Sequence, residues 1–277
     1  MTMPHVHSLY IYPVKSLHRC AVRSFRVDPW GPCGDRRWIV TDVNGKFLTQ
    51  RHHPRMATLM VRAMAGGLVI GNGLMEDFCV AFPSPDAPVM DVEVWGDRVQ
   101  VHDAGEDAAA WLSQALGHGC RLAFMRDPRS ARLKDAAGIY PVSFADGFPL
   151  LLAATSSLAD LNGRMKHPVP MERFRPNVVI AGSEPWEEDT WRRIRIGAVE
   201  LSVAKACSRC NVTTVDQETG EVPQKGEPLR TLAGFRRVAD GIMFGQNALV
   251  RHEGIIAVGD EVVIVERGSS NLEPPAS

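Results

Sequence analysis

Apolar and polar positions alternate along much of this chain, as they do in half-buried strands. Residues 8–12 read as a strand that Pro13 ends. Residues 38–42 and 46–50 flank Asn44-Gly45, a dipeptide suited to a hairpin turn. Short strands separated by Gly66-Gly67 and Gly71-Asn72-Gly73 fill 56–102. Apolar runs at 150–153 and 178–180 suit buried strands, and 194–203 alternates like a hairpin. The β-branched run 212–215 reads as another strand, Glu218-Thr219-Gly220 as a turn, and strands follow Phe244-Gly245-Gln246-Asn247 to about Val265.

Helical spacing is rarer. Ala108, Trp111, Leu112 and Ala115 share one face of a helix over 106–116, with Asp103 or Gly105 as cap and Gly117 as stop. Ser157-Leu158-Ala159-Asp160 fits a capping box, which assigns those hydroxyls to starting a helix. Residues 228–236 suit a short helix with Leu229 and Leu232 inward. Residues 125–138 are charged and without period, so they read as a linker. Pro176 predicts an extended break at Arg175. The pattern predicts an α+β, β-rich chain of two domains, 1–125 and 126–266, with a disordered tail at 267–277.

Composition narrows the function classes. With 277 residues and 45% hydrophobic content, two modest cores are within reach. Thirty-one cationic against 32 anionic side chains leave no global field for nucleic acid or an anionic membrane. Arginine outnumbers lysine 25 to 6, which favours bidentate grips on anions. Six unpatterned cysteines point to a reducing compartment. No signal-peptide core opens the chain and no apolar run reaches a membrane span, so a cytoplasmic protein without a membrane anchor is expected.

The chemistry concentrates around Cys207-Ser208-Arg209-Cys210. A thioredoxin-type pair opens a helix, and Asn-Val-Thr-Thr-Val is a poor helix former. A structural zinc site needs four ligands, and Cys20, Cys33, Cys79 and Cys120 are scattered singly. Two small buried residues beside a turn, or one thiolate ligand to a cofactor-borne metal, also fit. Lys15-Ser16 at a strand tip could hold a phosphate, and Asp35-Arg36-Arg37 could face an anion or pair internally. Arg51 and His52 lie in a cationic loop that solvation alone would explain.

Several motifs in collinear order, spanning about residues 7–265, resemble the MOSC proteins. They are Tyr-Pro-Val-Lys-Ser at 12–16, Gly-Asp-Arg-Arg-Trp at 34–38, Leu-Thr-Gln-Arg at 48–51, Phe-Arg-Pro-Asn at 174–177, Cys-Ser-Arg-Cys at 207–210 with Thr-Thr-Val-Asp at 213–216, and Phe-Gly-Gln at 244–246. The nearest resemblance is to the branch of amidoxime-reducing components and their bacterial relatives. It implies an N-terminal β-rich domain packed on a MOSC β-barrel with peripheral helices. It also implies a molybdenum–molybdopterin cofactor whose metal takes one protein thiolate, mapping onto Cys210, with Cys207 a neighbour. The phosphate clamp maps onto Lys15, Ser16, Arg36 and Arg175, and further cofactor contacts onto Asp146, Ser208 and Arg209. Asn247 stands where relatives can carry tyrosine.

The activity implied is reduction of small N-hydroxylated compounds, namely amidoximes, hydroxylamines and N-oxides. Electrons would come from a separate ferredoxin-like or haem donor with its reductase, because no cysteine follows Cys210 and the ferredoxin extension of some bacterial relatives is missing. The alternative implied by the same resemblance is a cofactor-binding or sulfur-carrier protein of the molybdenum-cofactor sulfurase type.

Overall fold

The structure, a computed structural model, describes residues 3–128, 132–134 and 138–272. The first half contains β1 (His5–Ile11), β2 (Cys20–Val22), β3 (Ser24–Asp28), β4 (Gly31–Pro32), β5 (Trp38–Asp42), β6 (Met60–Met64), β7 (Gly67–Gly71), β8 (Phe78–Ala81), β9 (Val89–Val94), β10 (Asp97–Asp103), α1 (Glu106–Leu116) and β11 (Cys120–Phe124). After two short strands, β12 (Leu133–Lys134) and β13 (Tyr140–Pro141), come β14 (Leu150–Ala154), α2 (Thr155–Gly163), β15 (Val178–Ala181), β16 (Trp191–Ile196) and β17 (Val199–Ser208). The chain continues through α3 (Leu229–Ala233), β18 (Arg237–Val238), β19 (Gly241–His252), β20 (Gly254–Ala257) and β21 (Val262–Arg267).

The largest sheet runs β2-β1-β15-β14-β19-β17-β16-β21. Its far edge returns to its beginning. Val262 N–H donates to Pro4 O and Val6 N–H to Asp260 O, both at 2.8 Å, so the start of β21 meets β1 and the sheet closes as a barrel. Closure removes the exposed edges a sheet of this size would otherwise carry. Alternate residues of β1, β15, β16, β17 and β21, among them Val6, Leu9, Val178, Ile194, Leu201 and Val262, form one buried apolar cluster.

A second sheet, β5-β11-β10-β9, and a three-stranded sheet, β6-β7-β8, pack with α1 around Trp38, Leu112, Leu122 and Ile70. The two halves of the chain exchange elements. β1, from the start of the chain, pairs with β15, and β20, near its end, pairs with β3. This interleaving brings strand ends from both halves to one place.

Several elements depart from the pattern-based expectation. Residues 46–50 bond back to β5 (Asp42 N–H to Lys46 O, Leu48 N–H to Val40 O) but form no continuous strand. Residues 211–215, expected as a strand, turn as a 3-10 helix over Asn211–Thr214. The hydroxyls of Thr213 and Thr214 donate to Cys210 O and Asn211 O, so local bonds replace a ladder. Ser157 does not cap: α2 begins at Thr155 with Ala154 ahead of it. The Ser157 hydroxyl instead donates to Glu188 and accepts from Trp186 N–H.

Arg175 is left-handed (φ 55°) rather than extended. The expected linker at 125–138 lies partly outside the described residues. Within it Met125 is core, and Arg132 is buried with its guanidinium on Ser143 O, Ala145 O and Asp97. The tail is fastened as far as it is described: Gly268 N–H bonds Thr190 O, and Asn271 bonds Asp189 O and Gln246. Residues 273–277 lie outside the described residues.

Under that tail sits a buried acidic pair. Asp189 receives both Nη atoms of Arg236 (2.6 and 2.9 Å) and Gln246 Nε2 (2.7 Å). Glu188 receives Ser157, while its Oε1 is buried without a partner. Burial pushes the Glu188 carboxyl up to about 7, with the neighbouring Asp189 charge adding to the effect. Its ionisation therefore opposes folding once pH exceeds the ordinary glutamate value of about 4.3. Stability from this group is full below that value and declines as pH rises towards 7. Glu188→Gln should accordingly stabilise the protein by about 3 kcal/mol more at pH 8 than at pH 4.5. Urea unfolding at the two pH values checks this, and an equal effect at both would contradict it.

Candidate functional site

The exchanged elements enclose a cleft of about 390 Å³. From the first half it takes Lys15, Ser16, Arg36, Thr49, Arg51 and Trp95, and from the second Asp146, Arg175, Asn177, Lys205, Cys207, Ser208, Arg209, Cys210 and Asn247, among others. All nine residues assigned from the sequence line it. Its floor lies where Leu151, Asn247 and Lys205 stand side by side on β14, β19 and β17. Gly245 makes the bend there possible: at φ 76°, an added Cβ would sit 2.6 Å from Leu152 O.

Tyr12, just past β1, is the centre of the cationic wall. It is almost fully buried, and two guanidinium groups pack against its ring, Arg36 at 4.5 Å and Arg175 at 4.2 Å from the centroid. Its N–H donates to Asp35 Oδ1 (2.7 Å) and its hydroxyl to Pro176 O (3.1 Å). Asp35 also takes Arg36 Nη1 (2.5 Å) and Asn177 Nδ2 (3.2 Å), so the internal pairing open to the Asp-Arg-Arg motif is realised at Arg36.

Arg175 has no such partner. Its guanidinium donates to Gln217 Oε1 (3.0 Å) and Leu17 O (2.8 Å), and no carboxylate pairs with it among the described residues. Burial pulls its pKa down to about 10, still above any physiological pH. A buried cation among neutral partners is costly unless an anion completes it. Gln217 and Gln50 hold each other through both amides (3.1 and 2.9 Å), and Gln50 also donates to Ser16 O. This clasp orients Arg175 and the Lys-Ser turn together.

Backbone strain marks the same residues. Ser16 (φ 66°), Arg36 (48°), Trp95 (52°) and Arg175 (55°) are left-handed without being glycine, and all four line the cleft.

Lys15 donates to Phe144 O (2.8 Å) and to Asp146 Oδ1, which also accepts Trp95 Nε1 (2.9 Å). Burial lowers the pKa of the Lys15 ammonium, and Asp146 offsets part of that. Asp146 faces the open mouth, yet the surrounding protein desolvates it. The charge and hydrogen bond of Lys15 and the indole N–H outweigh that effect and hold its carboxyl below the usual range.

At the sulfur end, Cys207 lies in β17 and Cys210 precedes the 3-10 turn. Both are half-buried free thiols on the cleft. Arg209 Nη1 donates to Cys207 Sγ (2.9 Å) and Nη2 to Phe174 O (2.7 Å), while its buried Nε has no partner. The cleft thus joins a carboxylate-free buried cation, further donors and two thiols, a donor set that fits a phosphorylated cofactor bearing a thiophilic metal.

Tyr12, Gln50 and Asn177 were legible only as members of recognised motifs, Asp35 was read as a possible internal partner of the arginines, and Gln217 carried no charge to flag it. Arg51, which solvation alone would have explained, lines the cleft, whereas His52 of the same loop is exposed and does not.

Residues 3–119 match the family model of the MOSC N-terminal beta barrel domain and residues 140–263 that of the MOSC domain. Mitochondrial amidoxime-reducing component 1 of Mus musculus is 33% identical across 94% of this chain and 82% of its own length. The Homo sapiens protein of that name is 32% identical with the same coverage. The molybdenum cofactor sulfurase of Oryza sativa subsp. japonica is 30% identical across 94% of this chain and 34% of its own length.

Arg175→Met separates ligand binding from folding. Losing a charge-assisted bond of roughly 1.5–3 kcal/mol should cut retained phosphate-bearing cofactor about tenfold or more. The unfolding midpoint of the cofactor-free protein should hold or rise, since an uncompensated buried cation has gone. Undiminished cofactor with a lowered midpoint would make Arg175 structural instead.

Proposed function

We propose a function on one established premise: the chain belongs to the MOSC family, in the branch of the amidoxime-reducing components. The reading is a molybdenum-cofactor-dependent reductase that converts amidoximes, hydroxylamines and N-oxides to amidines or amines. The observation that carries it is that the carboxylate-free guanidinium of Arg175 and the thiol of Cys210 open onto one cleft.

In this reading Arg175, Arg36, Lys15 and Ser16 hold the cofactor's phosphate, because cations and a hydroxyl match a phosphomonoester dianion. Tyr12 and Asp35 keep the two guanidinium planes in place. Asp146 offers acceptor oxygens to the donor edge of an aminopyrimidine, with Ser208, Arg209 and Asn247 lining the same space. Cys210 supplies the thiolate, and Arg209 steadies its neighbour Cys207. When bound, the cofactor supplies a two-electron couple able to take an oxygen atom from a substrate. Overall, an N–O bond is cleaved, two electrons and two protons are consumed, and water leaves with the amidine or amine.

In this reading the electrons come from a separate ferredoxin-like or haem donor with its reductase. Cofactor-loaded protein should reduce benzamidoxime with reduced viologen and fail with NADH alone. Steady turnover on NADH alone would remove the separate donor. Absence of turnover with reduced viologen at one molybdenum per chain would favour sulfur transfer, the activity class suggested by the sulfurase relative.

A further inference from the structure

The phosphate clamp leaves two cations of the cleft, Arg51 and Lys205, unexplained. Arg51 follows Gln50 of the amide clasp, and its guanidinium lies 4.4 Å from the centre of the Trp95 ring. Stacking occupies the face of the guanidinium and leaves its in-plane N–H donors directed outward. Among the described residues no carboxylate pairs with it, although Asp146 is bonded to that same indole. Asp146 Oδ1 is already shared by Lys15 and Trp95.

Trp95 is held in an unusual way for so large a residue. With Gly96 it forms the two-residue turn between β9 and β10, at φ 52° and 85°. That turn favours Asn or Gly at its first position, so tryptophan there is strained. It is nevertheless fixed on three sides, by Asp146 on its N–H, Phe47 edge-on at 4.8 Å, and Arg51. It remains 42% exposed at the mouth of the cleft. Lys205 of β17 also lines the cleft, exposed and without an ion pair among the described residues. Arg36 is paired with Asp35 and Lys15 with Asp146, whereas Arg51 and Lys205 line the cleft without a carboxylate partner among the described residues.

We propose that Arg51, held over the ring of Trp95 and sharing the cleft with Lys205, forms an anion subsite that selects substrates carrying a carboxylate beside the reducible N–O group. Arg51 makes the contact through its planar donors, and Lys205 adds positive charge from β17 in the same cleft. Trp95 is a positioning residue, because its effect passes through Arg51. The same donors could instead meet a second phosphate on a nucleotide-extended cofactor, so the two sources must be told apart. The inference rests on the reductase reading for the substrate's N–O group, while the subsite itself rests on this geometry.

The test uses cofactor-loaded full-length protein and three ligands: benzamidoxime, its para-carboxylate, and benzoate. Titration calorimetry should show the carboxylate form bound more tightly than the neutral one. Arg51→Gln should lower that preference, expressed as the ratio of the two dissociation constants, by about tenfold. Trp95→Ala should lower it in part and Trp95→Phe, which keeps a ring beneath the guanidinium, should restore it. A purely structural tryptophan would not discriminate between the ligands in this way.

Equal affinity for the two amidoximes in the wild-type protein, or a preference untouched by Arg51→Gln, would overturn the subsite. So would release on acid hydrolysis of one nucleotide per chain that is lost in Arg51→Gln, since that assigns the donors to the cofactor. If neither amidoxime is reduced with viologen, the reductase reading fails, and Arg51-dependent binding of benzoate still upholds the subsite. Benzoate binding independent of Arg51 would dismiss it.

Discussion

Two guanidinium groups are packed against the ring of one buried phenol, and the rest of the cleft is built to tolerate that. Tyr12 lies 4.5 Å from Arg36 and 4.2 Å from Arg175, so two like charges share one desolvated wall. The ring quadrupole attracts both, which offsets part of the cost. Asp35 neutralises only Arg36. Arg175 is met by the amide of Gln217, the carbonyl of Leu17 and the ring, which orient it without cancelling its charge. The wall is one positive charge in excess, and an anion is what completes it.

Holding that wall requires both halves of the chain. Asn177 shows how: its side chain touches Tyr10 O, Asp35 and the Leu151 N–H, tying β1, the Asp-Arg-Arg turn and β14 together. The amide clasp of Gln50 and Gln217 makes a second tie across residues far apart in sequence. Four strained non-glycine residues line this cleft, each of a kind that costs about 1–3 kcal/mol. The closed barrel supplies a rigid frame against which that strain can persist.

How legible this was depended on the physical range of each signal. Strand alternation found β1 and the β16–β17 hairpin, a turn signal bounded β5, an apolar run found β14, and the apolar face of 106–116 found α1, because those signals are local. The nine cleft residues were gathered by the family resemblance, with Lys15, Ser16, Arg36 and Cys210 already singled out by their chemistry, since no periodicity reports which strand ends converge. The failures share one cause. The hydroxyls of Thr213, Thr214 and Ser157 satisfy particular tertiary or local partners, and propensity alone read them as strand or cap. The left-handed turn at Arg175 and the buried Arg132 likewise answer to partners far along the chain. Gln217, neutral and 42 residues from Arg175, had no signal at all.

The central claim is that this cleft holds a phosphorylated molybdopterin whose metal takes its protein ligand from Cys210. X-ray absorption at the molybdenum edge, on protein made with intact molybdopterin synthesis, tests it most directly. The account predicts about three sulfur neighbours per molybdenum, two from the dithiolene and one from the protein. It predicts loss of one in Cys210→Ser and no change in Cys207→Ser. An unaltered sulfur shell in Cys210→Ser, or zinc bound by both cysteines in place of molybdenum, would contradict it.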